Sequence, residues 1–436
     1  MLLDVTAFLS TSATWDSVAE AFSLPSRSAS TSVVAPAWTT PERIAWDRAV
    51  DLPGAGDPQL VPEQPRPSSL ADLVASRAPA SEVAGWWDTV DRASRAELLA
   101  TSPEAIGNLE GVPYQVRDVA NRSFLSGTIA GIEARISDGS VGRAASEDLR
   151  AQLHMLQQVA AAVETGESGL PRTLITLDIS DGGRAVIAVG DLRTAEFVSY
   201  LVPGMFYSVD SEIGSWAGAA DQLAADQAAW LSKLAPGQYA DPAAAVATVA
   251  WIGYHTPTVV NVASLDLARE GRDALTESLR GLDAIRGDAD KPYLSVLAHS
   301  YGATAALLAL EENDITVDAL AMVGSPGSPA DNVGQLKVRD GNVWVADASW
   351  DPVSSTGVFG SQPLSSGYGA HHFGVGGAVD PLTGKALSGS VGHVDYFTSG
   401  SESFRNMALI GIGRGRLVLD PDGVTAAAPR AFAAAR

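Results

Sequence analysis

The hydrophobic rhythm of the chain changes once, near residue 171. Before that point apolar residues recur at helical spacing. After it they gather in short runs separated by long amphipathic stretches. Trp15, Val18 and Phe22 form one helical stripe near the N-terminus. Prolines at 53, 58, 62, 65 and 67, with Gly54 and Gly56, then mark a linker over 51–69. Leu70, Leu73 and Val74 restart the helical pattern, and Val83, Trp86, Trp87 and Val90 continue it. Ser94-Arg-Ala-Glu97 reads as a capping box, 102–113 as a turn-rich segment, and 116–136 and 145–165 as two further helices. The Trp86-Trp87 pair reads as core.

From residue 171 strand-like runs alternate with helical ones. Residues 173–179 and 184–189 flank Asp181-Gly-Gly, a hairpin signal. Further strands are predicted over 196–202, 246–252, 293–298, 317–323 and 342–346, with helices over 211–234, 265–285 and 401–410. Apolar strands alternating with helices require a mainly parallel sheet covered on both faces, here with an antiparallel edge from the first hairpin. The predicted fold class is therefore α/β, preceded by an all-helical region. The expected domains are 1–170, 171–420 and a tail over 421–436.

Composition narrows the function. A formal net charge of −22 over 436 residues argues against nucleic-acid binding, which needs a basic face. The absence of cysteine excludes disulfides, thiolate metal sites and cysteine nucleophiles. No His/Asp/Glu cluster has ligand spacing, so neither metal nor cofactor is expected. No apolar run approaches the roughly 18 residues of a membrane-spanning helix. Met1-Leu-Leu-Asp4 offers no basic n-region, so a cytoplasmic protein is expected, with a secreted form stripped of its leader left open. No protein partner is assigned.

The chemistry is read from Tyr293-Leu-Ser-Val-Leu-Ala-His-Ser300-Tyr-Gly302. A strand runs into a tight turn with a serine at its apex, and a small-residue helix follows. Ala298 and Gly302 are small where strand and helix nearly touch, giving Ala-x-Ser-x-Gly. A serine hydroxyl needs a base, and the base needs an orienting acid, in the chain order Ser, Asp or Glu, His. Downstream of Ser300, Asp351 lies in the loop after strand 342–346 and is preferred over Asp347 at the strand end. His393 lies on a loop entering the last helix and is preferred over His371 and His372. His299 adjoins the nucleophile and is expected beside the elbow. The amide of Tyr301 and one from the loop Val202-Pro-Gly204-Met205-Phe206 would form an oxyanion hole, with Met205 ahead of Phe206. Gly204, Phe206 and His299 are the candidate substrate contacts. The Gly- and Ser-rich stretch 353–391 is either a lid or pocket wall, or a passive insertion.

Residues 171–415 resemble an α/β-hydrolase: the Ala298-His-Ser-Tyr-Gly302 elbow, Pro203-Gly204, Asp351-Pro352, and Gly392-His393 with Tyr396-Phe397 behind it. The chain is also similar to an actinobacterial family of largely uncharacterised hydrolases. The motifs are Trp86-Trp87, Ile106-Gly-Asn-Leu-Glu-Gly-Val-Pro113, Arg117-Asp-Val-Ala-Asn-Arg122 and Ser401-Glu-Ser-Phe-Arg405-Asn406. The resemblance implies a serine esterase or lipase-like hydrolase acting on a small-molecule or lipid ester. Two alternatives stay open. One is an acyltransferase, amidase or peptidase with the same three side chains. The other is a non-catalytic scaffold whose helical region binds a partner.

Overall fold

A computed structural model describes residues 69–423 except 140, 259 and 355. The helix read at Trp15, Val18 and Phe22, the linker to residue 68 and the tail from residue 424 lie outside the described residues.

Six helices come first: α1 (Leu70–Ser76), α2 (Ala80–Thr89), α3 (Arg92–Thr101), α4 (Pro103–Asn108), α5 (Tyr114–Ser137) and α6 (Arg143–Ala162). The capping box falls earlier than the sequence suggests. Ser69 and Asp72 form one at the start of α1. At α3, Asp91 caps instead, its Oδ1 accepting from Ala93 N at 2.8 Å and Ser94 N at 3.1 Å. An ionised Asp accepts two amides and meets the positive end of the helix dipole, so it outcompetes Ser94. The segment read as turn-rich holds α4, opened by Pro103 at its first position. Leu73, Val83, Trp87, Ile106, Val112 and Ala120 form a core of their own among these helices.

The second half contains β1 (Arg172–Asp178), β2 (Arg184–Val189), β3 (Phe197–Val202), α7 (Val209–Leu234), β4 (Val246–Ile252), α8 (Asp266–Arg286), β5 (Tyr293–His299), α9 (Tyr301–Glu312), β6 (Ala319–Val323), β7 (Val343–Ala346), β8 (His371–His372) and α10 (Glu402–Gly411). The eight strands form one sheet in the order β1-β2-β4-β3-β5-β6-β7-β8. The β1–β2 and β2–β4 pairs are antiparallel, and the rest are parallel.

Strand residues alternate between two cores, as a sheet buried on both faces requires. On β4, Val246, Ala250 and Ile252 join the core beneath α5, α6, α7 and α10, whereas Ala247, Val249 and Trp251 join the one beneath α8 and α9. The two-residue strand β8, which the sequence reading leaves as loop, pairs with Trp344 and Val345. Two residues in Gly-rich surroundings carry no periodicity to read.

The outer edge of β1 is closed by side chains of the helical region. Asn108 Nδ2 donates to Leu177 O, and Leu177 N donates back to Asn108 Oδ1, both at 2.8 Å. Leu174 N donates to Asp118 Oδ1 at 2.7 Å, and Asn121 Nδ2 donates to Leu174 O at 3.0 Å. Arg122 Nη2 donates to Arg172 O at 2.8 Å. Four polar side chains thus take the place of a ninth strand and satisfy main-chain groups that burial would otherwise orphan. Arg117, fully buried, donates to Gly107 O and Thr176 Oγ1 and pairs with Glu110, Nη2 to Oε1 at 2.9 Å. Burial raises the Glu110 carboxyl's pKa above its ordinary value, against the opposing pull of Arg117.

Candidate active site

The turn from β5 into α9 places Ser300 at φ 55°, ψ −128°, a conformation that L-residues other than glycine rarely hold. Its neighbours explain how the strain is held. A Cβ at Gly302 would lie 2.2 Å from Pro203 O, and one at Gly204 would lie 2.6 Å from Ser300 Cβ. Strand, helix and the loop after β3 therefore meet with room only for hydrogen atoms. Ser300 N donates to Val323 O at 3.0 Å, tying the elbow to β6.

The structure brings Ser300, His393 and Asp351 into one hydrogen-bonded row. Ser300 Oγ lies 2.7 Å from His393 Nε2, and His393 Nδ1 lies 2.9 and 3.0 Å from the two Asp351 oxygens. All three residues are buried. Burial by itself would raise the Asp351 carboxyl's pKa. Hydrogen bonds from His393, Tyr396 and Val353 N outweigh it and hold that carboxyl below the usual carboxylate range. An ionised Asp351 fixes His393 with Nδ1–H toward it, leaving Nε2 to accept from the serine. Asp347 stands at the strand end and makes no bond to His393, and partial desolvation and the Asp351 charge raise its pKa. His371 and His372 are exposed on the far edge strand, with the His371 ring tilted against Trp344 at 4.8 Å.

His299 is buried behind His393 rather than open to a ligand. Its Nε2–H donates to the His393 carbonyl at 2.7 Å, and its ring packs among Tyr207, Tyr396 and Phe397. Burial, and then the neighbouring His393, push its pKa down to about 3, so it is neutral near pH 7.

The loop after β3 is anchored by Tyr254 Oη donating to Pro203 O at 2.8 Å and Trp216 Nε1 donating to Leu201 O at 3.0 Å. Phe206, at φ 66°, spends its amide on Pro257 O at 3.0 Å. Among the described residues the amides of Met205 and Tyr301 have no hydrogen-bond partner. The Tyr301 side chain ties the start of α9 to the start of α8, accepting from Ala268 N at 2.9 Å and donating to Ser264 O.

Two roles escape the sequence reading, those of Gly324 and Tyr396. Gly324 follows β6 at φ 60°, and a Cβ there would lie 2.8 Å from Asp351 Oδ2 and 2.9 Å from His393 Cε1. Tyr396 donates its hydroxyl proton to Asp351 Oδ2. A glycine closing a β-strand is a visible signal, but the partnership of Tyr396 with Asp351 is not. The stretch 353–391 is tied into the body of the protein: Phe359, Tyr368, Phe373 and Val375 are buried, and Phe359 meets the Tyr301 ring edge-on at 5.6 Å.

A mostly parallel sheet of this order, with a serine on a strained turn after the fifth strand, is the architecture of an α/β-hydrolase. A family model described as alpha/beta hydrolase matches residues 178–361, and the chain belongs to that superfamily. An uncharacterized protein of Mycobacterium tuberculosis is 29% identical over 427 residues, covering 88% of this chain and 63% of its own length. This chain therefore spans less than two thirds of that relative. A second uncharacterized protein of the same species is 32% identical over 199 residues, covering 44% of this chain and 73% of its own. Among solved structures, an arylesterase is 12% identical with a TM-score of 0.35, covering 66% of this chain and 98% of its own. A Rhizomucor miehei esterase structure is 11% identical with a TM-score of 0.36, covering 66% and 95%. No helix among the described residues is long and apolar enough to cross a membrane.

Proposed function

We propose that the protein is a serine-dependent hydrolase of carboxylic esters. The observation that carries this reading is the unbroken row from Asp351 through His393 to Ser300 Oγ at hydrogen-bond distances. The two uncommitted amides at Tyr301 and Met205 lend further support.

In this mechanism Ser300 Oγ attacks the ester carbonyl as its proton passes to His393 Nε2. The carbonyl oxygen becomes an oxyanion, and the amides of Tyr301 and Met205 donate to it. Ester C–O cleavage then expels the alcohol, which takes its proton from His393. The acyl group stays on Ser300. Water, deprotonated by His393, attacks the acyl-enzyme, and the acid leaves as Ser300 regains its proton. Asp351 stays ionised throughout, orienting His393 and offsetting the imidazolium charge.

Exposed Trp350, Val391 and Val394 stand beside Asp351 and His393 on the same loops, and favour an apolar acyl or alcohol group over a charged one. The test is turnover of p-nitrophenyl esters from acetyl to palmitoyl. Ser300→Ala should lower kcat by roughly a millionfold with an unchanged melting temperature. Undiminished turnover by that variant ends the assignment.

A further inference from the structure

Tyr396 is fully buried, three residues after His393 on a one-turn helix spanning Asp395–Phe397. Its oxygen touches two groups, and their chemistry fixes the direction of both bonds. Ala348 N lies 2.8 Å away, and a main-chain N–H can only donate. The hydroxyl therefore accepts there, and its single proton goes to Asp351 Oδ2. Asp351 Oδ1 accepts from Val353 N at 2.8 Å, and both oxygens face His393 Nδ1. The loop that carries His393 thus sends a second group to the same carboxylate. Ala348, the main-chain donor, belongs to the stretch that leads from β7 to Asp351. The carboxylate cannot rotate without breaking a bond at one oxygen or the other.

We infer that Tyr396 is a positioning residue of the reaction proposed above: it fixes the Asp351 carboxylate and lowers the negative charge that the carboxylate presents to His393. This rests on the ester-hydrolase reading for its catalytic meaning, but the contact itself is measurable without turnover. A carboxylate that accepts a hydroxyl proton on one oxygen is a weaker acceptor for the Nδ1–H that faces both. Burial and the adjacent Asp351 charge both raise the pKa of the Tyr396 hydroxyl, which keeps its proton at every pH where an enzyme works.

The experiment compares wild type with Tyr396→Phe in two ways. One is the low-field proton NMR resonance of His393 Nδ1–H. The other is the pH at which fluorophosphonate labelling of Ser300 reaches half its plateau rate. Without the tyrosine proton Asp351 should pull harder on Nδ1–H. The resonance then moves further downfield, and the labelling midpoint rises by about half a pH unit. In an Asp351→Asn background Tyr396→Phe should move neither. Placing 3-fluorotyrosine at position 396 keeps the hydroxyl, strengthens it as a donor, and should move the resonance the opposite way. That arm decides the matter if the Phe variant folds poorly. A resonance unmoved by both replacements overturns the assignment, whatever happens to rate or melting temperature. Absence of ester turnover and of labelling in wild type would instead sink the hydrolase reading, with the resonance still deciding the role of Tyr396.

Discussion

Asn108, Asp118, Asn121 and Arg122 in the helical layer aim their polar atoms at main-chain groups of β1. Ser300, His393 and Asp351, on the turn after β5 and the loops after β7 and before α10, aim theirs chiefly at one another. Both sets bury hydrogen-bonding groups, and around β1 all but Asn121 Oδ1 are satisfied. The difference lies in what remains available. Around β1, donors and acceptors are consumed in pairs that have no further use. Around Ser300 a hydroxyl, an imidazole and two idle amides are held in reach of one another. The first arrangement stabilises, and the second, on the proposed reading, holds reactive groups ready at the cost of a strained backbone.

That contrast can be broken from either end. Arg117→Ala in the helical layer has the largest expected effect on folding. It empties the fully buried Arg117 site and strips half-buried Glu110 of its partner, so unfolding by urea should show a loss of about 3–5 kcal/mol. Specific activity per folded molecule should hold. A collapse of activity at unchanged stability would erase the distinction. At the site the reverse is expected. Gly204→Ala puts a methyl group 2.6 Å from Ser300 Cβ. Displacing the serine should lower kcat by roughly a hundredfold with little change in melting temperature.

The smallest effect blurs the two categories, because His299 belongs to the site yet acts as core. Its folded pKa, about 3, is depressed below the ordinary value of 6.5. As pH falls from 6.5 the unfolded chain takes up a proton that the folded chain refuses. Stability is therefore full above about 6.5 and declines toward pH 3. One such group contributes a slope of up to about 1.4 kcal/mol per pH unit. Melting temperatures across that window should show His299→Gln flattening the slope. An unchanged slope would mean that the folded pKa of His299 is not depressed.

Much of the fold could be read in one dimension because strands buried on both faces are largely apolar, and short β-branched and aromatic runs such as 246–252 stand out against the longer amphipathic helices. What could not be read is set by contacts distant along the chain. Asp118 and Arg122 look like the solvent face of a helix until β1 is laid against them, and β8 exists only because Trp344 and Val345 offer it an edge. At the site, chain order pointed to Ser300, Asp351 and His393, and the structure places them in contact. The choice between Met205 and Phe206 as an idle amide needed the Pro257 carbonyl, supplied by the loop after β4. The neighbourhood of Gly324 needed the left-handed turn that follows β6.

The side chains that end the sheet at β1 also act as a stop against other molecules. An open strand edge is a template on which a second chain can add itself, and proteins protect such edges or aggregate. Here the cap is made of amide, carboxylate and guanidinium groups on helices α4 and α5, none of which offers a continuing ladder. Separating the helical layer from the sheet would uncover that template. Solubility of the hydrolase half is therefore a property of the whole folded unit, and the half bearing Ser300 cannot be handled, recombined or shuffled as though it ended at its own first strand.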